Sequence, residues 1–132
     1  MKTYVIDSSA LMTFFENRPG AVKVEDLLQE AAAADQPLLM SVVSWGEVYY
    51  TLFRGRGERA ANEMMERVAQ LPIHPVDVDA RAARAAATLK AQFSLPYVNC
   101  LVAALASLRS AALVTSDADF KPLKGAFELV VV

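Results

Sequence analysis

Short apolar runs alternate with longer amphipathic segments along this chain, and this alternation constrains the fold more than any other feature. The runs are "TYVI" at 3–6, "PLLMSVV" at 37–43, "AALVTSD" at 111–117 and "FELVVV" at 127–132, and each contains consecutive aliphatic residues. Strands of this kind are buried on both faces, as in parallel sheets that are covered by helices. The order of strand, helix and strand therefore predicts an α/β fold built from βαβ units.

The segments between the runs have the apolar spacing of amphipathic helices. A segment at 73–78, "IHPVDV", is ambiguous and is either a strand or a connector. The predicted architecture is a three-layer sandwich, with a mainly parallel central sheet of four or five strands between helices. The predicted helices are 9–16, 24–34, 44–53, 59–71, 79–93 and 96–110.

Length and composition favour one domain over 1–132, because 132 residues with 55% hydrophobic content can bury one real core. The single cysteine, Cys100, excludes an internal disulfide framework and a cysteine-based zinc site. No apolar run reaches the roughly 18 residues of a membrane span, and no signal peptide is recognisable. We therefore expect a cytoplasmic protein with no membrane association.

The net charge of −2 gives no general basic footprint for nucleic acid, but one local basic segment stands out. "FRGRGER" at 53–59 places Arg54, Arg56 and Arg59 around two glycines, and Arg54 and Arg56 are the candidate contact residues. One interpretation is a solvated turn between two helices, with a glycine ending the first. The other is a contact surface for RNA or for a protein partner, because arginine binds phosphates and carboxylates well.

Acidic residues follow the predicted strands at the positions where ligands bind in such folds. Asp7 comes directly after the first run, Asp117 ends the run at 111–117, and Glu47 lies four residues beyond the second run. The carboxyl ends of parallel strands meet at one edge of the sheet. Asn99, in the first turn of the helix that begins near Pro96, belongs to the same edge because helices run antiparallel to the strands. We expect these four side chains to converge.

Each of these residues also has a purely local interpretation. Asp7 and Ser8 can cap the following helix, and Ser44 with Glu47 fits the capping box S-x-x-E. "SDADF" fits an aspartate-rich turn, and Asn99 could bond locally at a helix start. Taken together, however, the local interpretations leave the gathering of several acids on one edge as a coincidence.

A cluster of carboxylates points to a metal site, because carboxylates that face one another raise each other's pKa. Mg²⁺ or Mn²⁺ would remove that penalty, since both prefer oxygen ligands. A metal held in this way can neutralise a phosphodiester oxygen, lower the pKa of a bound water and stabilise the leaving oxygen. The residues themselves thus predict metal-dependent hydrolysis or transfer at a phosphate.

The same residues carry a family resemblance over almost the whole chain. "YVIDSSALMTFF", "SVVSWGEVYY", "LPYVNCLVAALA" and "LVTSDADF" resemble, in order, the four motif blocks of PIN-domain nucleases, in particular the VapC toxins of bacterial toxin–antitoxin pairs. The resemblance implies a PIN-like sandwich, Mg²⁺- or Mn²⁺-dependent cleavage of RNA, a cognate antitoxin and a homodimer. It implies metal-binding roles for Asp7, Glu47 and Asp117 and for the Asn99 position, and supporting roles for Ser9, Thr115 or Ser116, and Asp119.

Asn99 departs from the family pattern, which usually has Asp in a block resembling "LPYADA", where this chain reads "LPYVNC". The amide has the shape of Asp but is neutral, and an NH₂ donor replaces one ligand oxygen. Metal affinity and activity should fall. Two explanations are open: a natural member with reduced activity, or an Asp-to-Asn change introduced to abolish activity, which the otherwise intact pattern favours.

Two alternatives to an active ribonuclease remain. The chain could be a catalytically inactive PIN-like module that binds antitoxin or RNA. It could also be another acid-rich phosphoryl-transfer domain, since Asp117 and Asp119 are similar to the DxD motif of topoisomerase–primase domains. That motif is accompanied by a glutamate after the first strand, where this chain has Asp7.

Overall fold

A computed structural model describes residues 2–132 as five strands and seven helices. The strands are β1 (Tyr4–Ile6), β2 (Leu38–Ser41), β3 (Ile73–Val76), β4 (Ala112–Thr115) and β5 (Leu129–Val131). The α-helices are α1 (Ser8–Phe15), α2 (Ala21–Ala33), α3 (Val42–Arg56), α4 (Glu58–Gln70), α5 (Ala80–Gln92) and α6 (Tyr97–Leu108), and a 3₁₀ helix covers Ala118–Leu123.

All five strands form one parallel sheet in the order β3-β2-β1-β4-β5. β1 therefore lies at the centre, with β2 on one side and β4 on the other. The register aligns Ile6 of β1 with Val114 of β4, so these two strands end side by side. The predicted α/β class and the parallel sheet of four or five strands are confirmed, with five strands.

The core lies on both faces of the sheet, which explains why the central strand β1 has no polar face. Ile6 and Val114 pack with α1 to α4 on one face, while Val5 and Leu113 pack with α5 and α6 on the other. Neighbouring strand residues point to opposite faces, so a strand covered on both sides must be apolar at every position. Val5 and Ile6 are fully buried, as this arrangement requires.

The predicted boundary between the second strand and the third helix is wrong. β2 ends at Ser41 instead of residue 43, and α3 begins at Val42 instead of Ser44. The Ser41 hydroxyl accepts a hydrogen bond from the backbone N–H of Val43 at 3.2 Å and caps the helix. The apolar Val42 and Val43 match a strand pattern, but the cap at Ser41, three residues before the predicted start at Ser44, determines where α3 begins. Glu47 consequently lies in the second turn of α3.

The ambiguous segment at 73–78 contains a strand. β3 pairs in parallel with β2 over Ile73–Val76 and forms one edge of the sheet. Pro75 lacks an N–H, which an edge strand tolerates because one side of it has no pairing partner.

Helix α3 continues beyond its predicted end at residue 53 and includes two of the three arginines of the basic segment. It ends at Arg56 and is capped by Gly57, whose φ of 89° lies in a region that favours glycine, and α4 begins at Glu58. A glycine ends the helix as predicted, but Arg54 and Arg56 belong to the last helical turn instead of a connecting turn.

No single helix in residues 2–132 is long and apolar enough to cross a membrane. α5 and α6 reach that length and composition only when joined, and they are bent by 120° at the break between them.

Candidate functional site

The carboxyl ends of β1 and β4 carry a buried network of hydrogen bonds around Asp7. Asp7 directly follows β1 and is only 4% exposed. Its Oδ1 accepts hydrogen bonds from the Ser9 hydroxyl at 2.7 Å and from the backbone N–H of Ala10 at 2.9 Å. Its Oδ2 accepts one from the Thr115 hydroxyl at 2.5 Å. Asp7 is thus the N-cap of α1, and the same bonds fix the orientation of its carboxylate.

Thr115 joins the first strand end to the second acid. While its hydroxyl donates to Asp7, the same oxygen accepts from the backbone N–H of Asp117 at 2.9 Å. The Ser9 hydroxyl accepts from the backbone N–H of Ser116 at 3.0 Å and lies 3.2 Å from the Thr115 hydroxyl. Ser9 and Thr115 therefore both contact Asp7, whereas Ser116 joins this network through its main chain.

Asp117 and Asn99 meet across the gap between β4 and α6. Asn99 lies in the first turn of α6, and its Nδ2 donates to Asp117 Oδ2 at 3.3 Å. Asp117 Oδ1 accepts from the backbone N–H of Asp119 at 2.9 Å. The Asp119 side chain is exposed and makes no hydrogen bond to this cluster among residues 2–132, so Asp119 contributes here through its main chain only.

Glu47 reaches the site from α3 and is held by a single bond. Its Oε1 accepts from the Ser8 hydroxyl at 3.1 Å, and Ser8 is the residue next to Asp7. The predicted capping box of Ser44 with Glu47 is not formed, because Ser41 caps the helix. Ser44 is buried, and its hydroxyl has no hydrogen-bond partner in the described chain.

Sequence reasoning treated Ser8 only as a possible helix cap and missed its contact with Glu47. The serine pair after Asp7 was the available signal, since residues 8 and 9 point to different sides of the first helical turn. Ser9 turns towards the strand ends, and Ser8 turns towards α3.

The buried position of Asp7 determines the electrostatics of the site. Burial raises the pKa of its carboxyl above the ordinary aspartate value, while the hydrogen bonds from Thr115, Ala10 and Ser9 lower it. The negative charge of Asp117 raises the pKa of Asp7 further, because the two carboxylates repel each other. A nearby cation would relieve both the burial penalty and this repulsion.

The donor set fits a hard divalent cation in chemical type, since Asp7, Glu47, Asp117 and the Asn99 carbonyl offer oxygens. Asp117 and Glu47 keep unused acceptor positions, and Asp7 has three bonds on a carboxylate with about four lone-pair sites. However, no group of three or more His, Cys, Asp or Glu side chains in residues 2–132 is arranged to hold a metal ion. Asp7 and Asp117 are linked through Thr115, and the third group bonded to this pair is the neutral Asn99 amide.

Arg54 and Arg56 of the basic segment make no hydrogen bond or ion pair with this cluster among residues 2–132. Both are exposed in the last turn of α3. The Arg54 guanidinium lies over the Tyr50 ring, 5.2 Å from its centroid. Nearby on α3, Trp45 and Phe53 are exposed, while Tyr49 packs edge-on against Phe53.

Comparison with known proteins identifies a family. The family model described as the PIN domain matches residues 4–125 of this chain. No curated protein shows significant sequence similarity to the chain.

Three solved structures illustrate the likeness of the fold. VapBC2 from Rickettsia felis, bound to a fragment of its promoter DNA, gives a TM-score of 0.80 at 12% identity and covers 98% of each chain. VapC20 of Mycobacterium tuberculosis gives a TM-score of 0.69 at 16% identity, over 92% of this chain and 95% of that chain. VapC20 is a toxin that cleaves the sarcin–ricin loop. VapBC-5 of the same organism gives a TM-score of 0.66 at 21% identity, over 100% of both chains.

Proposed function

Since this chain belongs to the PIN-domain family, we propose that it is a VapC-type endoribonuclease that hydrolyses RNA phosphodiester bonds with Mg²⁺ or Mn²⁺. One observation carries the proposal. The Thr115 hydroxyl donates to the Asp7 carboxylate and accepts from the Asp117 main-chain N–H, and the Asn99 amide donates to the Asp117 carboxylate. Glu47 accepts from Ser8, the residue next to Asp7. Residues from four distant parts of the sequence thus occupy the edge where α/β folds bind ligands.

In this mechanism Asp7 is the fixed ligand, because Thr115, Ser9 and the start of α1 already orient both of its oxygens. Asp117 and Glu47 complete the acidic set. A divalent cation bound there would neutralise the phosphodiester and lower the pKa of the attacking water. The protein's own contribution is to hold these carboxylates in place against their mutual repulsion.

Asn99 weakens this site in two ways. Its amide carries no charge, so a bound cation would lose one unit of negative charge that an Asp would provide. Its NH₂ group also donates to Asp117 Oδ2 and occupies an acceptor position that a cation could use. We propose that the chain as it stands is a weak or inactive nuclease.

Protein partners follow from the same proposal. The similar structures include a toxin–antitoxin complex from Klebsiella pneumoniae and VapBC2 from Rickettsia felis. We propose that this chain likewise binds a cognate antitoxin and forms a homodimer.

The alternative function is a PIN module that binds RNA or antitoxin without cleaving. The observation in its favour is that no group of three or more metal-ligating acidic, histidine or cysteine side chains is assembled within residues 2–132. The family match gives no support to the third alternative, a topoisomerase–primase-like domain.

The deciding experiment is RNA cleavage by the unmodified chain and by Asn99→Asp, each with Mg²⁺ or Mn²⁺ and with a chelator. We expect Asn99→Asp to bind the metal about tenfold or more tightly by calorimetry, because a carboxylate replaces an amide beside the cation. It should cleave RNA only when metal is present. Asn62→Asp is the matched control, since it adds the same charge on α4 and should change neither quantity.

The outcomes separate the two functions. Cleavage by Asn99→Asp supports the nuclease. If both proteins fold but neither cuts RNA nor binds metal, the nuclease assignment is wrong and the binding module is favoured.

A further inference from the structure

Helix α3 extends from the candidate site along a polar stripe. Residues three, four and seven apart lie on one face of a helix, so Tyr50 and Arg54 follow Glu47 on the same side of α3. At 1.5 Å per residue, Arg54 lies about 10 Å further along the helix axis than Glu47. Arg56 lies on a different side, because residues two apart do not share a face.

The Tyr50–Arg54 pair is exposed, and neither side chain has a hydrogen-bond or ion-pair partner among residues 2–132. Tyr50 is 49% exposed, and Arg54 is exposed with its guanidinium stacked on the Tyr50 ring. Residues 2–132 contain two ion pairs, which join Lys2 to Glu128 and Arg18 to Glu16, so Arg54 forms none. Its donors therefore remain available for an external anion.

The neighbouring tyrosine shows what a structural role looks like on this helix. Tyr49 is half-buried, donates its hydroxyl to Asn62 Oδ1 at 2.9 Å and packs edge-on against Phe53, which ties α3 to α4. Tyr50 makes no such hydrogen bond in the described chain and faces solvent. The two adjacent tyrosines thus serve different surfaces.

Resting on the proposed function, we propose that Tyr50 and Arg54 form a subsite for single-stranded RNA beside the candidate site. A nucleobase stacks on the pair, and the guanidinium binds a backbone phosphate that flanks the cleaved bond. Aromatic rings with cationic neighbours bind single strands in this way, with little preference for sequence. Charge complementarity favours RNA at this pair, because the Arg54 guanidinium is an exposed cation that forms no ion pair among residues 2–132, and RNA phosphates are anions.

The test measures the binding of a short fluorescein-labelled single-stranded oligoribonucleotide by anisotropy, with Mg²⁺ present and over a range of monovalent salt. Tyr50→Ala should weaken binding about five- to hundredfold, as expected for losing one stacked base. Tyr50→Phe keeps the ring and should bind normally. Arg54→Gln should weaken binding and reduce the salt slope of log K by about 0.7, as expected for one lost phosphate contact on a single strand.

Arg109→Gln is the matched control, because it removes an exposed arginine at the far end of α6 from Asn99. It should leave both the affinity and the salt slope unchanged. Circular dichroism and thermal unfolding of each variant show whether the fold is retained, which the exposure of both side chains leads us to expect.

If Asn99→Asp cleaves RNA while Tyr50→Ala and Arg54→Gln bind RNA as the unmodified chain does, the subsite is wrong and the nuclease stands. That result would leave a protein partner as the use of this stripe. If both variants lose affinity but Asn99→Asp does not cleave, the subsite stands and the nuclease is wrong. If neither the unmodified chain nor Asn99→Asp binds RNA, the subsite is overturned, and cleavage by Asn99→Asp still decides the nuclease separately.

Discussion

The candidate site has two halves that are held very differently. The sheet half consists of Asp7, Ser9, Thr115 and Asp117 at the ends of β1 and β4, where each side chain bonds to another or to the main chain. The helix half consists of Glu47 on α3 and Asn99 on α6, which make one side-chain hydrogen bond each.

The difference follows from what carries each half. β1 and β4 are hydrogen-bonded neighbours, so their ends are fixed relative to each other before any side chain is placed. The helices rest on the sheet through apolar side chains, and such contacts fix direction less strictly than a ladder of hydrogen bonds. We therefore expect the sheet half to be preorganised and the helix half to adjust when metal and RNA bind.

Asp7→Asn should have the largest effect if the sheet half dominates. In the Asn99→Asp background we expect cleavage to fall more than about a hundredfold. Losing a residue that would bind the metal should cost more than losing a residue that only hydrogen-bonds to such a ligand. Because burial raises the pKa of Asp7, its charged form destabilises the metal-free fold at neutral pH. The melting temperature without metal should therefore rise.

The matched comparison for Asp7→Asn is Glu47→Gln in the same background, which also replaces an acid by its amide. A larger loss of cleavage in Glu47→Gln than in Asp7→Asn would reverse the proposed ranking of the two halves.

Thr115→Val tests the link within the sheet half. The substitution removes the hydroxyl that donates to Asp7 and accepts from the Asp117 N–H, while the shape is kept. We expect Mn²⁺ affinity, measured by calorimetry in the Asn99→Asp background, to fall about ten- to hundredfold. Unchanged affinity would mean that Asp7 does not depend on this bond for its orientation.

Metal binding should depend on pH through Asp7. Because the pKa of Asp7 is raised, its carboxyl takes up a proton at a higher pH than an ordinary aspartate does. Below that pKa, protons compete with the metal, and apparent Mn²⁺ affinity should fall by up to about tenfold per pH unit. Without metal the sign is opposite: the stability contributed by protonated Asp7 is lost as pH rises through the raised pKa.

Melting temperatures measured with and without Mn²⁺, from mildly acidic to neutral pH, test both trends. Asp7→Asn should remove the metal-free trend, and its persistence in that variant would assign the titration to another group.

Ser8→Ala should have the smallest effect of the series. It removes the single hydrogen bond to Glu47 and leaves the carboxylate half-buried and free to rotate. We expect cleavage by the Asn99→Asp protein to fall less than about tenfold. This loss is smaller than the usual effect of removing a residue that hydrogen-bonds to a metal ligand. A loss as large as that of Thr115→Val would show that the helix half needs the same degree of order.

The sequence predicted the edge of the sheet at which Asp7 and Asp117 lie better than it predicted the boundaries of the helices and strands. Asp7 and Asp117 were predictable because continuous apolar runs identify parallel strands, and the residues after such runs meet at one edge. The start of α3 was not predictable, because Val42 and Val43 suit a strand as well as a helix. Only the Ser41 cap decides between the two. The pairing of Ser8 with Glu47 depends on how α1 and α3 lie against each other, which local sequence does not encode.

By itself, the sequence determined the α/β class, the parallel sheet and the edge on which the acids lie, because hydrophobic periodicity and chain direction set all three. The tertiary structure alone decided which groups touch. It placed Thr115 between Asp7 and Asp117, turned the Asn99 amide onto Asp117, and set Arg54 on Tyr50 instead of in a loop. Such contacts depend on distances of a few ångströms between elements far apart in sequence, and these are fixed only when the whole core packs.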